Sequence, residues 1–303
     1  MGSDEHHDLD LAVHHPVLAQ EVVEWLRPAG GGTFVDATVG PGGHAEGLLA
    51  AGAEILVGLD RDPEALAVAR ARLYRFGSQV RLRHGNFRQL RTHLQALGIE
   101  VVQGILFDLG LSSHQIERAG RGFSFLRDEP LDMRFDPTQG EAAREWLART
   151  TLPELLRALK EYGEEPAARR IARALVATRG HTPVAMTGQL VEVVKRAVPR
   201  NRWPRRLHVA TRTFQAIRIA VNEELPALAE ALPQAAELLR PGGRLLVIAF
   251  HSGEDRIVKE TFRNLAATHR WAVLTRRPVT SGLAEVRLNP RARSAKLRVL
   301  ERQ

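Results

Sequence analysis

The stretch from Thr33 to Asp60 restricts the fold more than any other part of the chain. It opens Thr33-Phe34-Val35-Asp36, passes through Gly40-Pro41-Gly42-Gly43-His44, and closes Ile55-Leu56-Val57-Gly58-Leu59-Asp60. An apolar run ending in an acid, a glycine turn, a short helix and a second apolar run ending in an acid make a βαβ unit. The expected fold is α/β: a doubly wound, Rossmann-like sheet with its ligand crevice outside the carboxyl ends of the strands.

The two acids separate ligand classes. A dinucleotide site cradles a pyrophosphate in its first turn, and Asp36 at the mouth of that turn repels one. The third glycine of G-x-G-x-x-G is also absent, because Ala45 stands there. A ligand carrying an ammonium or sulfonium charge and no phosphate fits better, and S-adenosylmethionine is such a ligand. Asp60 is placed to accept hydrogen bonds from ribose hydroxyls. A plain strand-turn-helix with incidental glycines is the alternative, and it leaves the spacing of the two acids unexplained.

At 303 residues the chain has room for one large domain or two modest ones. Its net charge of +8 suits a polyanionic partner, RNA or DNA. The sequence contains no Cys. Disulfides and thiolate metal sites are therefore excluded. So is methylation of a pyrimidine carbon through a Cys adduct. No apolar run reaches the length of a membrane span. The acidic, His-rich N-terminus does not read as a signal peptide, so a cytoplasmic protein is expected. His6, His7, His14 and His15 read as solvated polar residues rather than metal ligands, since no carboxylate spacing supports a ligand set.

Along the chain, a helix is expected over Val17 to Leu26. Asp62-Pro63 caps another, with Leu66, Ala69, Ala71 and Leu73 as its buried stripe. A third strand covers Val80 to Arg83, and Phe87 after it either flanks a cofactor ring or joins the core. Gly104 to Asp108 is the fourth strand, followed by the polar loop Leu109-Gly110-Leu111-Ser112-Ser113-His114-Gln115, where chemistry is expected. The alternation of strands and helices then stops until Leu207. The spacing of Leu152, Leu155, Leu156 and Leu159, of Ile171 and Leu175, and of Leu190, Val191, Val194 and Val198 predicts helices. Residues 116–207 thus read as an inserted helical domain, with 1–115 and 208–303 forming the sheet domain. An acid-free basic run ends the insert, from Lys195 and Arg196 through Arg200, Arg202, Arg205 and Arg206 to Arg212, with Trp203 inside. It suits phosphates and a stacked base, or a solvated face. Regular structure resumes at Thr211, with Phe214, Ile217, Val221 and Leu225 on one helix ending near Pro226. A fifth strand spans Arg244 to Phe250, and two short strands lie near Trp271 to Thr275 and Leu297 to Glu301.

Taken in order, these segments resemble the ribosomal RNA small-subunit methyltransferase H family. The resemblance rests on Gly42-Gly43-His44, Asp60-Arg61-Asp62-Pro63, Asp108-Leu109-Gly110 with Ser112-Ser113, Arg121-Gly122-Phe123-Ser124-Phe125, Leu131-Asp132-Met133-Arg134, Ala210 to Ala216, Asn222-Glu223-Glu224-Leu225 and Asn289-Pro290-Arg291. It implies a class I methyltransferase sheet with a helical insert. It implies transfer of a methyl group from S-adenosylmethionine to N4 of a cytidine in the decoding region of 16S rRNA, within the small ribosomal subunit. It implies cofactor contacts at Gly42, Gly43, His44, Asp60, Phe87, Asp108 and Gln115, no metal, no membrane, and a possible homodimer. The chain departs from the family at His114 and Val209, where Pro is usual, at Glu129, where Gly is usual, and at Gly253, where Leu is usual.

The amine of cytosine is a weak nucleophile, because its lone pair is delocalised into the ring. An acceptor that takes an N–H hydrogen bond frees that pair. Asp108 is the expected acceptor, with the loop from Leu109 to Ser113, and Ser113 in particular, as the other source. Asp132 and Arg134 either hold the base or pair with each other. Three other functions compete. A nicotinamide dehydrogenase conflicts with Asp36 and Ala45. A non-catalytic RNA-binding protein has no use for acids at three strand ends. A DNA amino-methyltransferase lacks here its usual Pro-Pro-aromatic loop after the fourth strand.

Overall fold

The computed structural model describes residues 16–112, 115–116 and 119–303. The expectations for His6, His7, His14, His15, Ser113 and His114 lie outside the described residues.

Seven strands form one sheet in the order β3-β2-β1-β4-β5-β7-β6. They are β1 (Thr33–Asp36), β2 (Ile55–Asp60), β3 (Val80–His84), β4 (Val102–Asp108), β5 (Leu239–Ala249), β6 (Trp271–Val273) and β7 (Lys296–Arg302). The first five run parallel, and β7 lies antiparallel between β5 and β6. This is a doubly wound, Rossmann-like sheet closed by an antiparallel pair of strands. The central parallel strands β1, β2 and β4 are apolar on both faces, as a sheet covered on both sides requires. Val35, Val57, Ile105 and Val247 face one core, and Phe34, Leu56, Leu106 and Leu246 face the other. Period-two alternation thus splits each strand between two layers.

On the second face lie α1 (Ala19–Leu26), α2 (Gly43–Ala50) and α3 (Pro63–Arg72). On the first lies α4 (Leu90–Gln95). The Asp62 carboxylate caps α3 as the sequence predicts, accepting from Glu64 N–H at 3.1 Å. The stripe differs by one residue: Ala65 is buried with Leu66 and Ala69, and Ala71 is exposed. A helix turning 100° per residue carries Ala71 away from the face that Ala65 and Leu66 share.

Between β4 and β5 come α5 (Ala143–Arg149), α6 (Leu152–Glu161), α7 (Ala168–Arg179), α8 (Thr187–Ala197), α9 (Thr211–Asn222) and α10 (Glu224–Glu237). After β5 come α11 (Ser252–Ala266) and the short α12 (Leu283–Leu288). The insert has its own core, built from Leu155, Leu159, Ile171, Leu175, Leu190 and Val194. Burial of each such side chain contributes about 1.5–3 kcal/mol. Leu152 stands outside this core at the exposed first position of α6. Phe214 and Ile217 of α9 belong to the same core, so its packing continues past residue 207.

The expected single helix through Leu225 is two helices. Glu223 sits in the left-handed region at φ 50°, ends α9 and starts α10. Pro226 then falls in the first turn of α10, where its missing N–H costs nothing. The fifth strand begins at Leu239, earlier than expected, because Val102 pairs with Leu239 across an irregularity in the ladder.

Candidate active site

The carboxyl ends of β1, β2 and β4 open into a cavity of about 560 Å³. Gly43, His44, Asp60, Phe87, Asp108 and Gln115 all line it. Gly42 does not; it holds the turn behind the wall, at φ 90°. Ser113 lies outside the described residues.

At the end of β2, Gly40 N–H donates to Asp60 Oδ2 at 2.7 Å and Asp62 N–H to Asp60 Oδ1 at 2.8 Å. Burial lifts the Asp60 carboxyl to about 6 against the pull of these donors. The Gly40 N–H, which in a dinucleotide site faces a phosphate, is already used. Each Asp60 oxygen keeps a lone pair for a hydroxyl donor.

Asp36 is placed differently from the sequence expectation. It is 1% exposed and does not line the cavity. The chain keeps its strand course past β1, with Ala37 N–H bonded to Leu106 O at 2.9 Å, so the wall begins only at Ala37. The Asp36 carboxylate accepts from Thr38 N–H at 3.2 Å. Burial pushes its carboxyl up to about 7, opposed by the nearby His44 and the Thr38 N–H.

At the start of α2, His44 Nε2 lies 3.4 Å from Asp108 Oδ2. The contact is a charge pair without hydrogen-bond alignment. Among the described residues, neither His44 ring nitrogen nor Asp108 Oδ1 has a hydrogen-bond partner. Burial works against the imidazolium, but Asp108, then Asp36 and Glu285, outweigh it and raise the His44 pKa above its ordinary value. Asp108 N–H donates to Thr38 Oγ1 at 2.7 Å, which ties the end of β4 to the turn after β1. The sequence reading missed Thr38; a hydroxyl two residues past a strand-end acid was its only signal.

Phe87 joins the core and also reaches the cavity. Its ring meets Phe107 edge-on at 5.4 Å. Gln115 is buried with its carboxamide engaged: Oε1 accepts from Ser112 N–H at 3.1 Å, and Nε2 donates to Asp62 Oδ2 at 3.0 Å. Arg121 reaches the same Asp62 oxygen at 3.0 Å and Glu64 Oε2 at 3.1 Å. It also donates to the carbonyls of Arg134 and Phe135. Asp62, Gln115 and Arg121 thereby tie the segment after β4 to helix α3. Glu129 is buried and folds the same loop by accepting from Gly120 N–H at 2.7 Å and Gly122 N–H at 3.0 Å.

Asp132 and Arg134 pair with each other in a two-pronged contact, at 2.9 Å and 2.7 Å, and stand off the cavity. The far wall is aromatic: Phe125 stacks on His208 at 4.5 Å and meets Phe214 edge-on at 5.5 Å. Arg218 and Glu224 line the cavity beside it, joined by two hydrogen bonds of 2.8 Å. No sequence spacing pointed to these residues, since they come from separate elements. In the basic run, Trp203 donates from Nε1 to Val198 O at 2.9 Å and packs on the insert core. Arg200, Arg202, Arg205 and Arg206 are exposed. Among the described residues no group of acids and histidines is placed to hold a metal ion, and no helix is long and apolar enough to cross a membrane.

Residues 11–303 match the MraW methylase family. A protein of Citrifermentans bemidjiense named ribosomal RNA small subunit methyltransferase H is 49% identical over 308 residues, covering 95% of this chain and 98% of that one. A protein of the same name from an Anaeromyxobacter species is 50% identical over 304 residues, covering 95% and 97%. Among solved structures, an rRNA methylase from Streptococcus thermophilus matches with a TM-score of 0.45 at 12% identity, covering 96% of this chain and 99% of that one. By the extent of the family match and the identity to these relatives, the chain belongs to the MraW methylase family.

Proposed function

We propose that this methyltransferase moves the methyl group of S-adenosylmethionine to N4 of a cytidine in the decoding region of 16S rRNA. The observation that carries the reading is Asp108, a carboxylate on the cavity wall that accepts no hydrogen bond from the described residues and faces the imidazole of His44. The cofactor fits the site on three counts. The Gly40 N–H is occupied, so the turn has no donor to offer a phosphate there. Asp60 keeps acceptor capacity for ribose hydroxyls, and Phe87 supplies an apolar wall. Gly42, Gly43, His44, Asp60, Phe87, Asp108 and Gln115 are the residues proposed to hold it, with Gly42 acting through the turn.

When bound, the cofactor supplies a methyl group already activated by its sulfonium charge. The protein's part is alignment and proton management. Asp108 accepts a hydrogen bond from the N4 amine, lets that nitrogen leave the ring plane, and takes the proton it loses. His44 Nε2, 3.4 Å from Asp108 Oδ2, holds the carboxylate in place. Ser113 is proposed as a second acceptor on the same loop. The aromatic wall of Phe125 and Phe214 receives a base drawn out of its stack. The insert, residues 116–207, is proposed as the RNA-recognition unit. The working setting is the cytoplasm, on the small ribosomal subunit, with a homodimer as the assembly.

The test is labelled-methyl transfer from S-adenosylmethionine to isolated small subunits, followed by mapping of the modified nucleoside. N4-methylcytidine in the decoding region is expected. Label on another base or on a ring carbon overturns the proposal, as does calorimetry that finds heat with a dinucleotide and none with S-adenosylmethionine.

A further inference from the structure

A second basic run lies outside the insert. Between Glu64 and Glu100 the chain has no Asp or Glu and seven arginines. Arg72 and Arg75 contact Glu46, and Arg88 contacts Glu223 and Glu230. Arg81, Arg83 and Arg91 have no acidic partner among the described residues. Their surroundings are ordered. β3 is an edge strand, paired only with β2. Val80 and Leu82 pack on the core beneath α2 and α3, so alternation sends Arg81 and Arg83 to the opposite face, the side of α4.

There His93 of α4 closes over Gly85, where an added Cβ would meet its ring at 2.4 Å. Burial and then the charge of Arg83 hold the His93 pKa below its ordinary value. Arg91 is exposed in the first turn of α4. The strip runs on through His84, 3.0 Å from the buried Asp136, to Phe87 on the cavity wall.

We propose that the β3 edge, centred on Arg81, Arg83 and Arg91, is a second RNA-docking surface that grips backbone phosphates away from the target nucleotide. The proposal rests on the RNA-methyltransferase reading above. Guanidinium forks match phosphate oxygens two at a time. The outer edge of β3 adds backbone N–H groups that no neighbouring strand uses. Unneutralised charges on one surface repel each other until a polyanion arrives, which favours RNA over a neutral partner. The strip meets the cavity at Phe87, so the two surfaces are continuous. An acidic protein or a lipid surface is the rival occupant, and the test separates them.

The experiment compares the full chain carrying Arg81→Gln and Arg83→Gln with a charge-matched control, Arg276→Gln and Arg277→Gln. The control residues are exposed and follow β6 at the opposite edge of the sheet. Affinity for a 16S rRNA fragment is measured across a salt series, with S-adenosylmethionine affinity by calorimetry as the check on folding. In the β3-edge variant, RNA affinity is expected to fall about tenfold and the log–log salt slope by about 1.5, the release expected for two lost phosphate contacts. On small subunits KM rises and kcat holds. The control keeps the parent values. Equal losses in both variants, or no loss in the first, overturn the proposal. So does a loss of binding to acidic vesicles with RNA affinity intact. The RNA-affinity readout stands even if methyl transfer to cytidine fails, so the two readings fail separately.

Discussion

Asp108 occupies the end of a central strand with acceptor capacity that no described residue uses. Leaving a buried oxygen unpaired costs about 1–3 kcal/mol, a cost that a substrate amine would remove. Asp108→Asn keeps the shape but offers an amide where a proton must go. Its kcat is expected to fall on the order of 10²-fold. Single-turnover assays at saturating cofactor check this, and a variant with full kcat removes Asp108 from the chemistry. Asp36 makes a different prediction. Its carboxyl is raised from 3.8 to about 7, first of all by burial. Between those values the folded chain keeps a proton that the unfolded chain has lost. Its contribution to stability is therefore full below the unfolded value and is lost as pH rises through about 7. His44, also raised, acts with the same sign at higher pH. Asp36→Asn, neutral throughout, is expected to flatten the decline in unfolding free energy between about pH 4 and about pH 7. An unchanged slope in denaturant titrations at both values rules burial out as the cause. The sequence showed that both acids end strands, because an apolar run closed by an acid is a local pattern. It did not show that one acid faces the cavity and the other lies behind the wall, since that depends on where Ala37 pairs with β4.

At the scale of elements, the joints carry more information than the strands. Asp62 is legible as the cap of α3, because Asp-Pro is a helix start in any context. Its second function is not legible. Arg121, 59 positions later, brings its guanidinium to the same carboxylate, and no periodicity links residues so far apart. Both side chains are buried, at 8% and 0% exposure, and Glu64 alone remains as a carboxylate partner for Arg121 if Asp62 is removed. Asp62→Ala is expected to lower stability by about 3–5 kcal/mol, the cost of breaking a buried pair from one side. Asp62→Asn, which retains the cap acceptor, is expected to lose less. Urea unfolding of the three proteins ranks them, and an asparagine midpoint equal to that of the parent assigns the whole effect to capping. The break at Glu223 was hidden for a related reason. A non-glycine residue in the left-handed region leaves no mark in the sequence, whereas Pro226 did and drew the boundary to itself.

At the scale of the whole molecule, the insert is a second core that shares a wall with the first unit. Helical periodicity located α6, α7 and α8, because spacing reports which face of a helix is apolar. It says nothing of what covers that face, so the sequence boundary at residue 207 falls short of the packing. Phe214 and Ile217 of α9 lie in the insert core, while Asn222 at the end of that helix donates to Met133 O at 2.7 Å and accepts from Phe135 N–H at 2.7 Å. Phe214 also reaches the cavity wall. A chain lacking residues 143–197 therefore exposes an apolar face of α9, and patches of that kind drive association. The shortened chain is expected to aggregate in light scattering. Adding Phe214→Gln and Ile217→Gln is expected to restore a monodisperse protein that still binds S-adenosylmethionine and no longer methylates subunits. A shortened chain that stays monodisperse with both apolar residues in place shows instead that the insert folds as a separate domain.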